Sequence, residues 1–207
     1  MSEVHRPGSL PKSIAGLLGE VAMISLAVFI GLLADQWRES RHHEEQARSA
    51  LRNFRSEVLA NQKEIERVKI YHETIRRDLI SLAAKGGSGT PAQEAHFDGI
   101  HPIYFEHTAW DLAVATQALS YIDTDLAYAI SRIYTHQQAF ETLEKGFTQS
   151  AFGPSSFLTE NRSAVIEALV TYLNDVVIQE PLFLKEYQAL VPQINLVLSE
   201  NTPSTAK

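Results

Sequence analysis

Read for apolar and polar positions alone, the chain separates into one unbroken apolar run followed by a series of stripes. Residues 13–37 read SIAGLLGEVAMISLAVFIGLLADQW: fourteen uncharged residues from Val21 to Ala34, and a shorter apolar stretch, Ile14 to Gly19, on the other side of Glu20. The run is about 21 residues, roughly 31 Å of helix, which matches the hydrocarbon core of a bilayer. A cleaved signal peptide and a buried core helix give similar runs. A signal peptide ends in a small-x-small exit, and here Leu32 fills the outer small position for a cut after Ala34. The charged Glu20 also fits such a segment badly. The run is therefore read as an uncleaved, single-pass transmembrane anchor over residues 13–37, behind a short polar tail at 1–12.

From Gln36 to Lys85 there is no Gly or Pro, and apolar residues recur every three or four positions. Leu51, Phe54, Val58, Ile65, Val68, Ile75, Leu79 and Leu82 form one stripe, with Asn61 and His72 on the same register. This period predicts a long amphipathic helix over residues 38–84, continuous with the anchor. The same stripe serves a single-domain core or a pairing seam between copies, so Leu51, Phe54, Val58, Asn61, Ile65, Val68 and His72 are the candidate helix-pairing seam of a coiled coil. A polar residue on such a seam sets register or oligomeric state, or faces an irregular neighbour.

Breaker residues at 85–91 (KGGSGTP) end that helix, and the irregular pattern up to His107 makes residues 85–107 a loop whose aromatics, Phe97, Tyr104 and Phe105, pack onto the bundle. A small antiparallel helical bundle is expected over residues 108–200. Its first helix opens at Thr108, with Asp111 completing a capping box, and runs to Leu119. Asp123 or Thr124 caps the next, whose stripe is Leu126, Ile130, Ile133, Phe140, Leu143 and Phe147, and Gly153 to Ser156 closes it. Thr159 or Asn161 starts a helix bearing Val165, Leu169, Tyr172, Leu173 and Val176. Pro181 breaks or restarts it, and a final helix carries Leu184, Tyr187, Leu190, Ile194 and Val197, kinked or broken at Pro192. Residues 201–207 are a loose polar tail. The fold class is all-α, with no strand and no internal repeat.

Charge changes the picture of the ends. Residues 1–37 carry two basic and three acidic side chains, residues 38–85 eleven and eight, and residues 86–207 five and fourteen. The basic section adjoins the anchor, where anionic headgroups favour it; the acidic remainder argues against nucleic acid as a partner. Trp37, Arg38 and Arg41 are suited to the headgroup layer, and Asp35 ends the apolar run. An ionised Glu20 at mid-bilayer would cost roughly 2.5–3.5 kcal/mol. Near one end of the span its carboxyl instead reaches the interface, or it pairs with a polar group on a second membrane helix. Lys and Arg counts place the distal domain in the cytoplasm, but domains translocate despite such charges, so its side stays open.

No chemistry-bearing motif is present. There are no cysteines, hence no disulfide or thiolate metal site. His42, His43, Glu44 and Glu45 do not have the spacing of a helical zinc site and read as a solvated cluster. A nucleophile elbow, a phosphate loop and a dinucleotide fingerprint are all absent. No cofactor is called for. His101, His107 and His136, with Asp98, Glu106 and Asp111 near in sequence, are the weak material for a hydrolase.

The order Gly19-Glu20, an apolar run, Ala34-Asp35-x-Trp37-Arg38-Glu39, then Leu51, Glu57-Val58 and Asn61 resembles a group of bacterial single-pass membrane proteins that share a domain of unknown function. Their pattern is a Glu–apolar–(Asp/Asn)-x-Trp anchor followed at once by a long helix with a Glu-x-x-x-Asn pair, matched here by Glu57 and Asn61. The resemblance covers residues 15–65. A fainter echo is Trp110 followed by Gln117-Ala118-Leu119, where the group has a small-residue turn. It implies membrane attachment and a helical domain, and no activity.

The expectation is a non-enzymatic protein of the bacterial inner (cytoplasmic) membrane, with the bilayer and a protein partner or a second copy as its contacts, scaffolding or assembling an envelope complex. The rivals are a membrane-anchored sensor that binds a small ligand between helices near Trp110 and Tyr121, and a membrane-anchored hydrolase.

Overall fold

The computed structural model describes residues 14–84, 97–151 and 162–200. Among them every regular element is helical: α1 (Ile14–Ala84), α2 (Thr108–Ala115), a short 3-10 helix (Ala118–Tyr121), α3 (Thr124–Ala151) and α4 (Arg162–Glu200). The protein is all-α. The breaker loop at 85–91, the tails at 1–12 and 201–207, the closure at 153–156 and the helix start at Thr159 or Asn161 lie outside the described residues. The chain divides into two units, Met1–Glu45 and Gln46–Lys207.

In the first unit, residues 16–42 of α1 are exposed throughout, including Leu18, Met23, Ile24, Phe29 and Leu32. Among the described residues α1 is the one helix long and apolar enough to cross a membrane. Where the run ends, Arg38 Nη2 donates to Asp35 Oδ1 at 2.7 Å, and the Arg41 guanidinium sits 5.3 Å from the Trp37 ring centroid. Glu20 is exposed within the same unit.

In the second unit the candidate seam is buried in the chain's own core: Leu51, Phe54, Val58, Asn61, Ile65, Val68 and His72 are all at most 1 % exposed. Pairings between side chains give the directions. Arg48 reaches the Leu198 carbonyl, His72 reaches Glu180 and Arg76 reaches Asn174, so α4 runs antiparallel to α1. Gln137 meets Tyr187, and Glu144 meets Tyr172, so α3 and α4 are also antiparallel. The apolar stripes supply the contacts, with Leu126, Ile130, Ile133 and Phe140 from α3 and Leu169, Leu173, Val176, Tyr187, Leu190 and Ile194 from α4 buried.

Several expectations are corrected. Pro181 and Pro192 lie inside an uninterrupted α4. Both are exposed, so the carbonyl that each releases is open to water. The buried residues Glu180, Phe183, Tyr187, Leu190 and Ile194 hold the helix on either side. Helix α2 stops at Ala115 rather than Leu119, because Gln117 turns left-handed (φ 56°) before the 3-10 helix. The Thr108–Asp111 capping box does not form: His107 is the N-cap residue, and its side chain makes no capping bond. Leu143 and Tyr104, expected inside, are 43 % and 74 % exposed. Asp123 does cap α3, its Oδ1 accepting from the Asp125 and Leu126 amides.

Candidate functional site

Residues 97–107 form no regular structure, yet side chains of α1 and α3 hold their backbone. This strap runs back along α1, its carbonyls at 100 and 101 bonded at His72 and the amide of Ala109 at Glu57. Between those levels α1 covers 15 residues, roughly 22 Å. The chain has nine residue steps, Ile100 to Ala109, for the same distance. As helix they would reach only about 14 Å, so an extended path is required.

An extended backbone laid against a bundle must find partners for the polar groups that it turns inward. Asn61 and His72 of α1 and Glu144 of α3 stand on otherwise apolar stripes. The Tyr71 hydroxyl donates to the Gly99 carbonyl at 2.6 Å. His72 Nε2 is shared between the Ile100 and His101 carbonyls at 3.0 and 3.1 Å. Three successive carbonyls thus turn toward one helix face. A regular extended strand alternates them; positive φ at Gly99 (134°) and His101 (44°) makes the departure. Farther along, Ile103 N–H donates to Glu144 of α3 at 3.3 Å. The Asn61 amide takes both backbone groups of Glu106, accepting its N–H at 2.8 Å and donating to its carbonyl at 3.0 Å.

The strap ends at the start of α2, where Glu57 supplies the missing cap. Its Oε2 accepts the Ala109 N–H at 2.7 Å and its Oε1 the Tyr134 hydroxyl at 2.6 Å. Burial first, and then the Glu57 carboxylate, push the Tyr134 phenol well above its ordinary range, which keeps it a donor.

Deeper in the core, His72 Nδ1 lies 2.6 Å from Glu180 Oε1, both side chains fully buried. Burial works against a charged imidazole, but the bonds to Glu180 and to the two carbonyls outweigh it and raise its pKa. The two carbonyls can only accept, which places a proton on Nε2; in the charged ring the second proton is on Nδ1, facing Glu180. Glu144 is pushed up by burial and drawn partly back by the Tyr172 hydroxyl and the Ile103 amide. Glu180 Oε2 and Gln137 Oε1 are buried without a protein partner.

On the outer side, α3 and α4 form an open groove of about 630 Å³. Its floor is apolar, with Phe140 and Phe183 edge to face at 5.6 Å and Phe105 of the strap behind both. Leu143 and Leu182 are exposed along it. The rim is charged: Glu186 lies 3.7 Å from Arg132 and 3.1 Å from His136, with Lys185 beside it. A second cleft of about 270 Å³ lies between the start of α2 and α3. Trp110, stacked on Tyr134 at 5.2 Å, forms one wall, and His107, bonded to Glu141 at 2.8 Å, another. Tyr121 does not line it.

The three histidines named for a hydrolase are not brought together. His101 stacks on Tyr71 and pairs with Asp98, His107 pairs with Glu141, and His136 pairs with Glu186 on the groove rim. Among the described residues no group of three or more His, Asp or Glu has the arrangement of a metal site. Glu144, Glu180 and Gln137 escaped notice in the sequence, although each falls on the three-to-four spacing of its helix's apolar stripe. A polar residue at such a position was the available signal, as it was at Asn61 and His72.

No protein-family model, no curated protein and no solved structure matches the chain significantly.

Proposed function

We propose that this is a single-pass protein of the bacterial inner membrane whose helical domain docks a protein partner and performs no catalysis of its own. Membership of the group of membrane-anchored proteins that residues 15–65 resemble belongs to the same proposal, as does a role in scaffolding or assembly at the envelope. The observation that carries it is the α3–α4 groove. Large apolar side chains, Leu143 and Leu182, are left in solvent over a phenylalanine floor. Exposed apolar surface rimmed by polar groups is characteristic of protein–protein contact.

The experiment is site-specific photo-crosslinking in native membranes from position 182, with Tyr128, which is exposed and outside the groove lining, as the control position. A discrete partner captured at 182 and not at 128, and lost when Leu143 is changed to Asp, supports the reading. Recovery of the protein uncrosslinked from both positions overturns it.

The polar cleft beside Trp110 favours a second reading, a sensor for a small ligand. Its walls combine an aromatic ring with hydrogen-bonding groups from Gln138 and Glu141. A thermal-shift screen of the detergent-solubilised chain tests it: a stabilising metabolite whose effect is lost in Trp110→Leu supports a ligand site, and a flat screen counts against one.

A further inference from the structure

We infer that the occupant of the α3–α4 groove is one amphipathic helix of another protein, about three turns long and carrying carboxylates along its flank. This rests on the reading that the domain docks a partner, and it specifies the partner's chemistry.

The shape argues for a helix. Both walls are helices whose backbone groups, apart from the single carbonyls released by Pro181 and Pro192 of α4, are internally bonded, so an extended peptide would find no continuous edge to pair with. Along the outer surface of α4, Ile178, Leu182, Ala189 and Leu196 are exposed at intervals of four and seven residues. That spacing is the seam of a two-helix contact. From Gln179 to Ala189 the α4 wall is about 15 Å long, the length of roughly three helical turns.

Charge selects the flank. Residues 86–207 contain five basic side chains against fourteen acidic ones. Two of those five, Arg132 and Lys185, stand on the groove rim, with His136 beside them and Glu186 the acidic residue in the lining. Glu186 is shared by Arg132 and His136, so the lining keeps two cations against one acid; the rim is net basic on an acidic section of chain, and an acidic helix is the complementary occupant. A second copy using the same groove would set one basic rim against another, which like-charge repulsion disfavours.

The test uses the full chain in phosphatidylcholine nanodiscs, with empty nanodiscs as the blank. The probes are two synthetic, fluorescein-labelled helical peptides of about 14 residues, each with a leucine face. One carries Glu on its flanks and the other Lys at the same positions. Fluorescence anisotropy is expected to show saturable binding of the Glu peptide, about tenfold or more tighter than that of the Lys peptide. R132E combined with K185E reverses the order, and L143D combined with L182D abolishes both interactions. Because all four side chains are on the surface, unchanged circular dichroism of these variants separates loss of binding from loss of fold. Equal affinities, an order unchanged by charge reversal, or binding retained in the double Asp variant overturns the inference.

Crosslinking from position 182 keeps the two claims apart. A protein partner captured there while the peptides fail to discriminate removes the acidic-helix inference and leaves docking standing. Crosslinks to a second copy or to another segment of the same chain overturn the inference. No crosslink at all takes down both.

Discussion

The carboxylate of Glu57, in the middle of α1, caps a different helix: it accepts the N–H of Ala109, 52 residues away, at 2.7 Å. Its other oxygen is held by the Tyr134 hydroxyl of α3. One buried acid therefore joins three helices at the point where the strap becomes α2. A carboxylate at a helix N-terminus meets both an unbonded amide and the positive end of the helix dipole. Glu57→Ala is expected to cost about 3 kcal/mol, since it leaves the amide and the phenol unpaired. Glu57→Gln, which preserves an acceptor for Ala109, should cost about 1 kcal/mol. Chemical denaturation of the two variants checks the ranking; equal losses would mean that the acceptor which Gln retains for Ala109 contributes nothing.

Asn61 gives a second measure of how the strap is held. Removing its amide in Asn61→Ala strands the N–H and the carbonyl of Glu106 together. A loss of about 2–3 kcal/mol is expected. Hydrogen exchange at the Glu106 amide should accelerate more than exchange in the middle of α4. A uniform acceleration across the bundle would show that the effect is global rather than seated at the strap.

Stability should fall as pH rises. His72 is raised above its ordinary value despite burial, by Glu180 and the two strap carbonyls. A base with a raised folded pKa contributes fully below its unfolded pKa, roughly 6.5, and the contribution is lost as pH rises through the folded value. Glu144 is raised by burial. An acid of that kind folds more favourably when protonated, so its cost sets in as pH climbs past the unfolded value of roughly 4.3 and is complete above the folded pKa. Both groups act in one direction, and the melting temperature should decline as pH rises from about 5. Glu144→Gln retains an oxygen for both the Ile103 amide and the Tyr172 hydroxyl, so its melting temperature should depend less on pH. An unchanged pH profile would remove Glu144 from the account.

The groove leucines should be dispensable to the fold. Leu143 and Leu182 are 43 % and 50 % exposed, so replacing either with Ser is expected to change unfolding free energy by less than about 0.5 kcal/mol. Ile130→Ala, at a fully buried position on the same helix as Leu143, should cost about 2–5 kcal/mol. Paired urea titrations give the comparison.

The prolines of α4 should be a liability in the bundle alone. Each removes one helical hydrogen bond on an exposed face, and Ala at 181 or 192 restores it. A gain of about 1–3 kcal/mol is expected for each, reduced by the greater freedom that Ala gives the unfolded chain. A loss of stability in thermal melts would show that the proline rings are themselves packed.

Much of the architecture was legible in the sequence because it depends on local period. A 3.6-residue stripe is enough to specify which face of a helix turns inward, and the apolar run of residues 13–37 exceeds what any single buried face needs. For that reason the long first helix and the asparagine and histidine on its stripe are legible in the sequence; for the cap of α3 the sequence offers Asp123 or Thr124, and the structure selects Asp123. The Thr108 cap was misread because its acid comes from Glu57, far away in sequence, rather than from Asp111 one turn on. The expected breaks at Pro181 and Pro192 gave way because buried neighbours on both sides outweigh one lost hydrogen bond.

By itself, then, the sequence determined an all-α chain with an apolar helix of membrane-spanning length and an amphipathic continuation, since these follow from composition and periodicity along one stretch of chain. Only the tertiary structure decided that Asn61 and His72 serve the strap, that the seam closes on the chain's own helices, and that the α3–α4 groove is left open. These depend on which elements meet across 45 to 108 residues of sequence, and a hydrogen bond or a packed face takes its partner from proximity in space, whatever the distance along the chain.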